Sequence, residues 1–301
     1  MPKITMRDGH AIHIREVGKG GIPIILLHGF GMQSMHWLPF ALPLAKKFHF
    51  LIPDLRGFGH SHLSPYNQNC VISNYADDLA DIINHYQLKR FKLAGISMGA
   101  FVALQYQQTY GDEKVEAYMH IDQSPRTHNC DDWSWGIFGQ DNITRLNEAK
   151  ILIRKLIPYI EAKTPYSELP AHLKHSLWQD LGDFFASALS KNYQKKLAQK
   201  VCANERLIKN LMPTENWPAY IYCLKAYIEQ DYNMLATFEK LSTPVSLLVG
   251  LKSEMYPSGG QLRIADHTKN CEVIPFTNSG HTPLIDQPLK FINELRRFSA
   301  A

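Results

Sequence analysis

Hydrophobic positions along the chain follow two different periods. Near the N-terminus, Lys3-Ile4-Thr5-Met6 and Ala11-Ile12-His13-Ile14 alternate polar and apolar residues around Arg7-Asp8-Gly9-His10. The Asp-Gly pair favours a tight turn, so this segment predicts a β-hairpin. Continuous apolar runs follow at 22–27, 50–53, 91–94 and 117–121, as strands buried on both faces require. Between them lie stretches of helical period, notably 75–88, with Leu79, Ile82, Ile83 and Tyr86 on one stripe, and 98–110. Strand and helix alternating in this way predict right-handed crossovers and a parallel sheet.

The alternation stops after about Pro125 and resumes only at Thr243-Pro244-Val245. In between, the pattern predicts helices over 144–162, 168–189, 193–209 and 219–230, with no convincing strand. Strand patterns return at 245–249 and 271–275, and a last helix is predicted over 288–298, with Pro288 in its first turn as helices tolerate. The expected organisation is one core domain from 1–125 and 241–301, interrupted by a helical insertion at 126–240. No internal repeat or low-complexity segment is evident.

Composition narrows the picture further. With 301 residues, of which 45% are apolar, the chain can bury a sizeable core. Its formal charge of +4 is spread along the sequence without a block of like charge, which speaks against a nucleic-acid partner. The five cysteines, Cys70, Cys130, Cys202, Cys223 and Cys271, are scattered and form no C-x-x-C pair. That usage fits reduced thiols in a cytoplasmic protein and no metal site. No export signal is read at Met1-Pro2-Lys3-Ile4, and the apolar runs are far shorter than the roughly 20 residues of a membrane span.

Candidate chemistry sits at the strand ends. The strand at 91–94 runs into Gly95-Ile96-Ser97-Met98-Gly99, and a helix pattern follows at once. A sharp strand-to-helix turn of this kind exposes the serine hydroxyl, so Ser97 is the expected nucleophile. The helix start leaves backbone N–H groups unpaired, and that of Met98 is an expected oxyanion donor. Phe30, in Leu27-His28-Gly29-Phe30-Gly31 at the end of an earlier strand, is the second. Of the fourteen histidines, His281 in Ser279-Gly280-His281-Thr282 combines a late position with a strand-end setting, which suits a general base. There is no phosphate-binding glycine loop, and no cofactor is expected.

The order His28-Gly29, Asp54-Leu55-Arg56-Gly57-Phe58-Gly59, Gly95-Ile96-Ser97-Met98-Gly99 and Gly280-His281 resembles the α/β-hydrolase superfamily, in particular its capped esterase and lactonase-like members. About two thirds of the chain carries the likeness. The resemblance implies an α/β fold: a mostly parallel eight-stranded sheet with helices on both faces, an inserted helical cap over the active site, and an acid orienting the histidine. In the family the acid usually stands three residues after a glycine at the end of the strand before the histidine. Ser253 occupies that place here and Glu254 follows it. Some relatives take the acid from the strand after the nucleophile helix, where Asp122 stands, and Asp122 is preferred over Glu254. A serine at the elbow also separates the chain from relatives that dehalogenate or open epoxides with an aspartate.

Trp37, Trp133, Trp135 and Phe138 are candidate substrate-binding residues of an apolar cleft. The expected activity is hydrolysis of an ester, lactone or thioester of an apolar small molecule through an acyl-serine intermediate. Two other readings share the residues: C–C bond hydrolysis or perhydrolysis by the same triad, and a non-catalytic ligand receptor on a hydrolase core.

Overall fold

The computed structural model describes residues 3–62, 64 and 71–301; Cys70 lies outside them. Eight strands form one sheet: β1 (Lys3–Thr5), β2 (Ala11–Val17), β3 (Ile24–Leu27), β4 (Phe50–Pro53), β5 (Phe91–Ile96), β6 (Val115–Ile121), β7 (Val245–Gly250) and β8 (Cys271–Phe276). They lie in the order β1-β2-β4-β3-β5-β6-β7-β8. The hairpin strand β2 runs antiparallel to β4, and every pairing from β4 to β8 is parallel.

The apolar strand runs are explained by burial on both faces. Ile25, Leu27, Leu51 and Leu93 enter one core, while Ile24, Leu26, Phe50, Ile52, Ala94 and Ile96 enter the other. Successive side chains point to opposite faces of a strand, so a strand covered by helices on both sides needs no polar positions. Parallel pairing also aligns strand ends. Ile96 pairs with Ile121, Ile121 with Leu248, and Gly250 with Phe276. The loops that leave β5, β6, β7 and β8 therefore open along one edge, where an open α/β sheet binds its ligands.

Between β6 and β7 the described residues form helices, at Asn142–Glu161, Ala171–Ser187, Asn192–Cys202, Glu205–Leu211, Trp217–Glu229 and Leu235–Lys240. The single helix expected over 193–209 is two, because the Asn204 side chain accepts the N–H groups of Arg206 and Leu207 and starts a second one. Their apolar faces continue the core that covers one side of the sheet through Leu152, Leu177, Leu181, Trp217 and Ile221.

Candidate active site

The turn after β5 is held in an uncommon backbone conformation. Ser97 has φ 53° and ψ −123°, which a residue with a side chain adopts only where its surroundings enforce it. The two flanking glycines remove the clashes. A Cβ at Gly95 would stand 2.3 Å from the Gly99 carbonyl oxygen, and one at Gly99 would stand 2.5 Å from the Leu27 carbonyl oxygen. The Ser97 N–H donates to the Ile121 carbonyl at 3.0 Å, and the Ser97 carbonyl accepts from Ala100 at 2.8 Å. The turn is thus pinned to β6 on one side and to the Met98–Tyr110 helix on the other. Ser97 is only half-buried and lines a cavity of about 100 Å³.

Asp122 follows β6 directly and is fully buried, with a φ of 43°. Its Oδ1 accepts from His281 Nδ1 at 2.8 Å, from the Ser253 hydroxyl at 2.8 Å and from Gln261 Nε2 at 3.1 Å. Its Oδ2 accepts the Gly250 N–H at 2.6 Å. Four donors on one carboxylate leave it no freedom to turn, and they assign the proton of His281 to Nδ1, with Nε2 left as an acceptor. His281 lies in the loop after β8, buried, with the Tyr256 ring centred 5.4 Å from its own. Gly250 allows this loop to pass: a Cβ there would stand 2.0 Å from the Gly280 carbonyl oxygen and 2.6 Å from Asp122 Oδ2. Among the described residues no hydrogen bond joins the Ser97 hydroxyl to His281, as is common for such pairs before a substrate binds.

Glu254 is placed elsewhere. It is exposed, and Lys195 Nζ approaches its two oxygens at 2.7 and 2.6 Å. Its neighbour Ser253 donates to Asp122 instead. In the sequence Ser253 stands out only as occupying the place where the acid is usual, and Gln261 and Tyr256 do not stand out at all, yet one signal was available. A hydroxyl where the acid usually stands marks a position that can donate to a carboxylate arriving from another strand.

The backbone N–H groups of Phe30 and Met98 take no hydrogen-bond partner among the described residues, and both residues line the cavity with Ser97. The close approach of Gly29 helps bring them together, since a Cβ there would stand 3.3 Å from Ser97 Cβ. Beneath them His28 is fully buried. Its Nδ1 donates to the Gly29 carbonyl at 2.8 Å and its Nε2 accepts the Leu55 N–H at 3.0 Å.

Of the four aromatic residues expected in the cleft, Phe138 lines the cavity and the other three do not. Trp37 lies in the other core, 1% exposed, with its ring centroid 6.0 Å from that of Phe291, because the helical turn Ser34–Trp37 delivers it to the opposite face of the sheet. Trp133 and Trp135 pack edge to face on each other at 5.2 Å, and Trp135 covers Gly259 and Gly260. They fasten the loop after β6 to the segment after β7. Stretches rich in tryptophan pack cores as readily as they line clefts, and sequence order does not distinguish the two.

The cavity is lined by apolar side chains from the insertion, among them Leu146, Leu152, Phe184 and Ile228. Arg145, Glu148, Asp180 and Asp183 also line it. The Arg145 guanidinium stands 4.9 Å from the centre of the Phe138 ring. Burial, then Asp183 and Glu148 nearby, push the Asp180 carboxyl above its usual range.

Two buried histidines give the fold a predictable response to acid. Burial pushes His28 and His120 each down to about 4, whereas an unfolded histidine titrates near about 6.5. Between those values the unfolded chain binds more protons than the folded one, so stability is full above about pH 6.5 and falls as pH drops towards about 4. For His28 the reason is direct, since a proton on Nε2 removes the acceptor for Leu55. Urea midpoints should decline across this window, and a flat profile would contradict the assignment.

A family model described as alpha/beta hydrolase fold matches residues 22–288. The chain is 23% identical over 284 residues to a pimeloyl-[acyl-carrier protein] methyl ester esterase of Nitrosomonas europaea, covering 94% of this chain and 97% of that protein. Among solved structures it resembles an esterase from Exiguobacterium antarcticum, with a TM-score of 0.75, 19% identity and 99% of each chain covered. It also resembles the enol-lactonase from Burkholderia xenovorans, with a TM-score of 0.73, 16% identity and 100% of each chain covered.

Proposed function

Since the chain belongs to the α/β-hydrolase family, we propose that it is an esterase-type serine hydrolase that cleaves esters of apolar small molecules through an acyl-Ser97 intermediate. The observation that carries this reading is the 2.8 Å bond between Asp122 and His281 Nδ1, made at the same sheet edge from which Ser97 enters the cavity. In the proposed reaction His281 Nε2 accepts the Ser97 proton as Oγ attacks the ester carbonyl. The N–H groups of Phe30 and Met98 receive the developing oxyanion. His281 then returns the proton to the departing alkoxide, and the alcohol leaves. Water repeats the sequence on the acyl-enzyme, releasing the acid and restoring Ser97. Asp122 holds the tautomer and stabilises the imidazolium. Domain boundaries at 126 and 240 would make the insertion a cap that shields this step from bulk water.

A fluorophosphonate probe tests the reading directly. Mass spectrometry of the labelled, digested protein is expected to find one adduct, on the peptide containing Ser97, with p-nitrophenyl butyrate turnover lost in proportion. Labelling of another serine, or full turnover after labelling, contradicts it.

The charges at the cavity predict a preference. Among the side chains lining the cavity, Glu148, Asp180 and Asp183 outnumber Arg145, so a substrate carrying a free carboxylate meets net repulsion in a partly desolvated site. An uncharged methyl ester is expected to exceed the monoester of a dicarboxylic acid of equal chain length by about tenfold or more in kcat/KM, equivalent to at least about 1.4 kcal/mol. Equal values would show that these carboxylates do not face the bound acyl chain.

A further inference from the structure

The Asn192–Cys202 and Glu205–Leu211 helices expose an uncommon surface. Cys202 and Ile208 are buried on their inner side, and a Cβ at Gly182 of the Ala171–Ser187 helix would stand 3.0 Å from Cys202 Cβ. On the outer side Tyr193 is 66%, Leu197 59% and Leu207 49% exposed. Lys191, Lys196, Lys200, Arg206 and Lys209 are exposed among them, against a single exposed acid, Glu205. Lys195 is half-buried and already paired with Glu254. Tyr193 with Leu197, and Lys196 with Lys200, stand four residues apart on one helix, so they form adjacent apolar and basic rows on the same face.

We propose that this face docks the protein peripherally on an anionic lipid bilayer. Exposed tyrosine and leucine set among cations on flexible four-carbon stems match an interfacial helix, whose apolar residues enter the acyl boundary while the ammonium groups remain with the headgroups. Charge complementarity selects an anionic surface. Four of the five cations are lysine, which protein interfaces disfavour and arginine-rich ones replace, so a lipid surface fits better than an acidic protein. Among the described residues no helix is long and apolar enough to cross a membrane, so the contact lies on the surface. The inference does not depend on the proposed hydrolysis.

The test is co-sedimentation of the whole protein with vesicles of phosphatidylcholine alone, and of phosphatidylcholine with phosphatidylserine in a two-to-one ratio, at low and high sodium chloride. Binding is expected to the phosphatidylserine vesicles only and to fall at high salt. The triple variant Lys191→Gln/Lys196→Gln/Lys200→Gln should weaken it about a hundredfold, and Tyr193→Ser/Leu197→Ser at least about tenfold. All five side chains are outside the proposed active site, so turnover of a water-soluble ester should be unchanged in both variants and certifies their folding. No binding above the phosphatidylcholine control overturns the proposal. So does lysine-dependent binding indifferent to Tyr193 and Leu197, or capture by polyglutamate with the same salt dependence but no vesicle binding.

Discussion

Replacing Ser97 by alanine should lower kcat for p-nitrophenyl butyrate by roughly five to six orders of magnitude. The side chain has no evident structural duty that would confuse the result. Ser97 is held through its backbone, by the N–H to Ile121 and the carbonyl to Ala100, and alanine keeps both bonds and the same Cβ. Thermal denaturation should therefore differ by no more than about 1 kcal/mol. The size of the loss follows from the division of labour. In the proposed mechanism no acyl-enzyme forms without Oγ, and only the proposed oxyanion donors and the cavity remain, for which a residual acceleration of about 10³ to 10⁴ over water is expected. Adding His281→Ala to Ser97→Ala should cost almost nothing further, because a base with no nucleophile to activate contributes nothing. A purified Ser97→Ala protein that keeps more than a trace of turnover would remove the proposed mechanism.

Asp122→Asn should be the second most damaging change, lowering kcat by about 10³ to 10⁴. The isosteric amide has only one oxygen for the work of two. If that oxygen stays toward His281, Ser253 and Gln261, the amide nitrogen faces the Gly250 N–H, donor against donor, at a spacing of 2.6 Å. If the amide turns, the nitrogen faces three donors and His281 must shift its proton to Nε2, where it can no longer accept from Ser97. Either arrangement removes the negative charge that stabilises the imidazolium. A buried donor left without its acceptor should also reduce stability by about 1 to 3 kcal/mol, visible in urea unfolding. Glu254→Gln provides the contrast. That carboxylate is 62% exposed and paired with Lys195, so its loss should change stability by less than about 1 kcal/mol and leave kcat within about twofold. Loss of activity in Glu254→Gln with retention in Asp122→Asn would reverse the assignment of the acid.

How much of this was legible in the chain depended on range. Ser97 declares itself locally: the glycines at 95 and 99 and the flanking strand and helix patterns are contiguous, and the clashes those glycines avoid arise within a few residues or from the neighbouring strand. The strands were equally readable, the N-terminal pair by its alternation around Asp8-Gly9 and the central ones because burial on both faces leaves unbroken apolar runs. The insertion was recognised as helical by its period, but its break at Asn204 was not, since one capping asparagine is a weak mark within a long amphipathic stretch.

The primary structure by itself therefore determined the order of elements and the elbow at Ser97, features written in neighbouring residues. Only the tertiary structure decided that Asp122, rather than Glu254, meets His281, because that contact spans 159 positions and depends on the parallel alignment of β6, β7 and β8. It also decided that Trp37, Trp133 and Trp135 pack elsewhere while Phe138 reaches the cavity, since aromatic burial is a property of which face a turn presents and no local pattern encodes it.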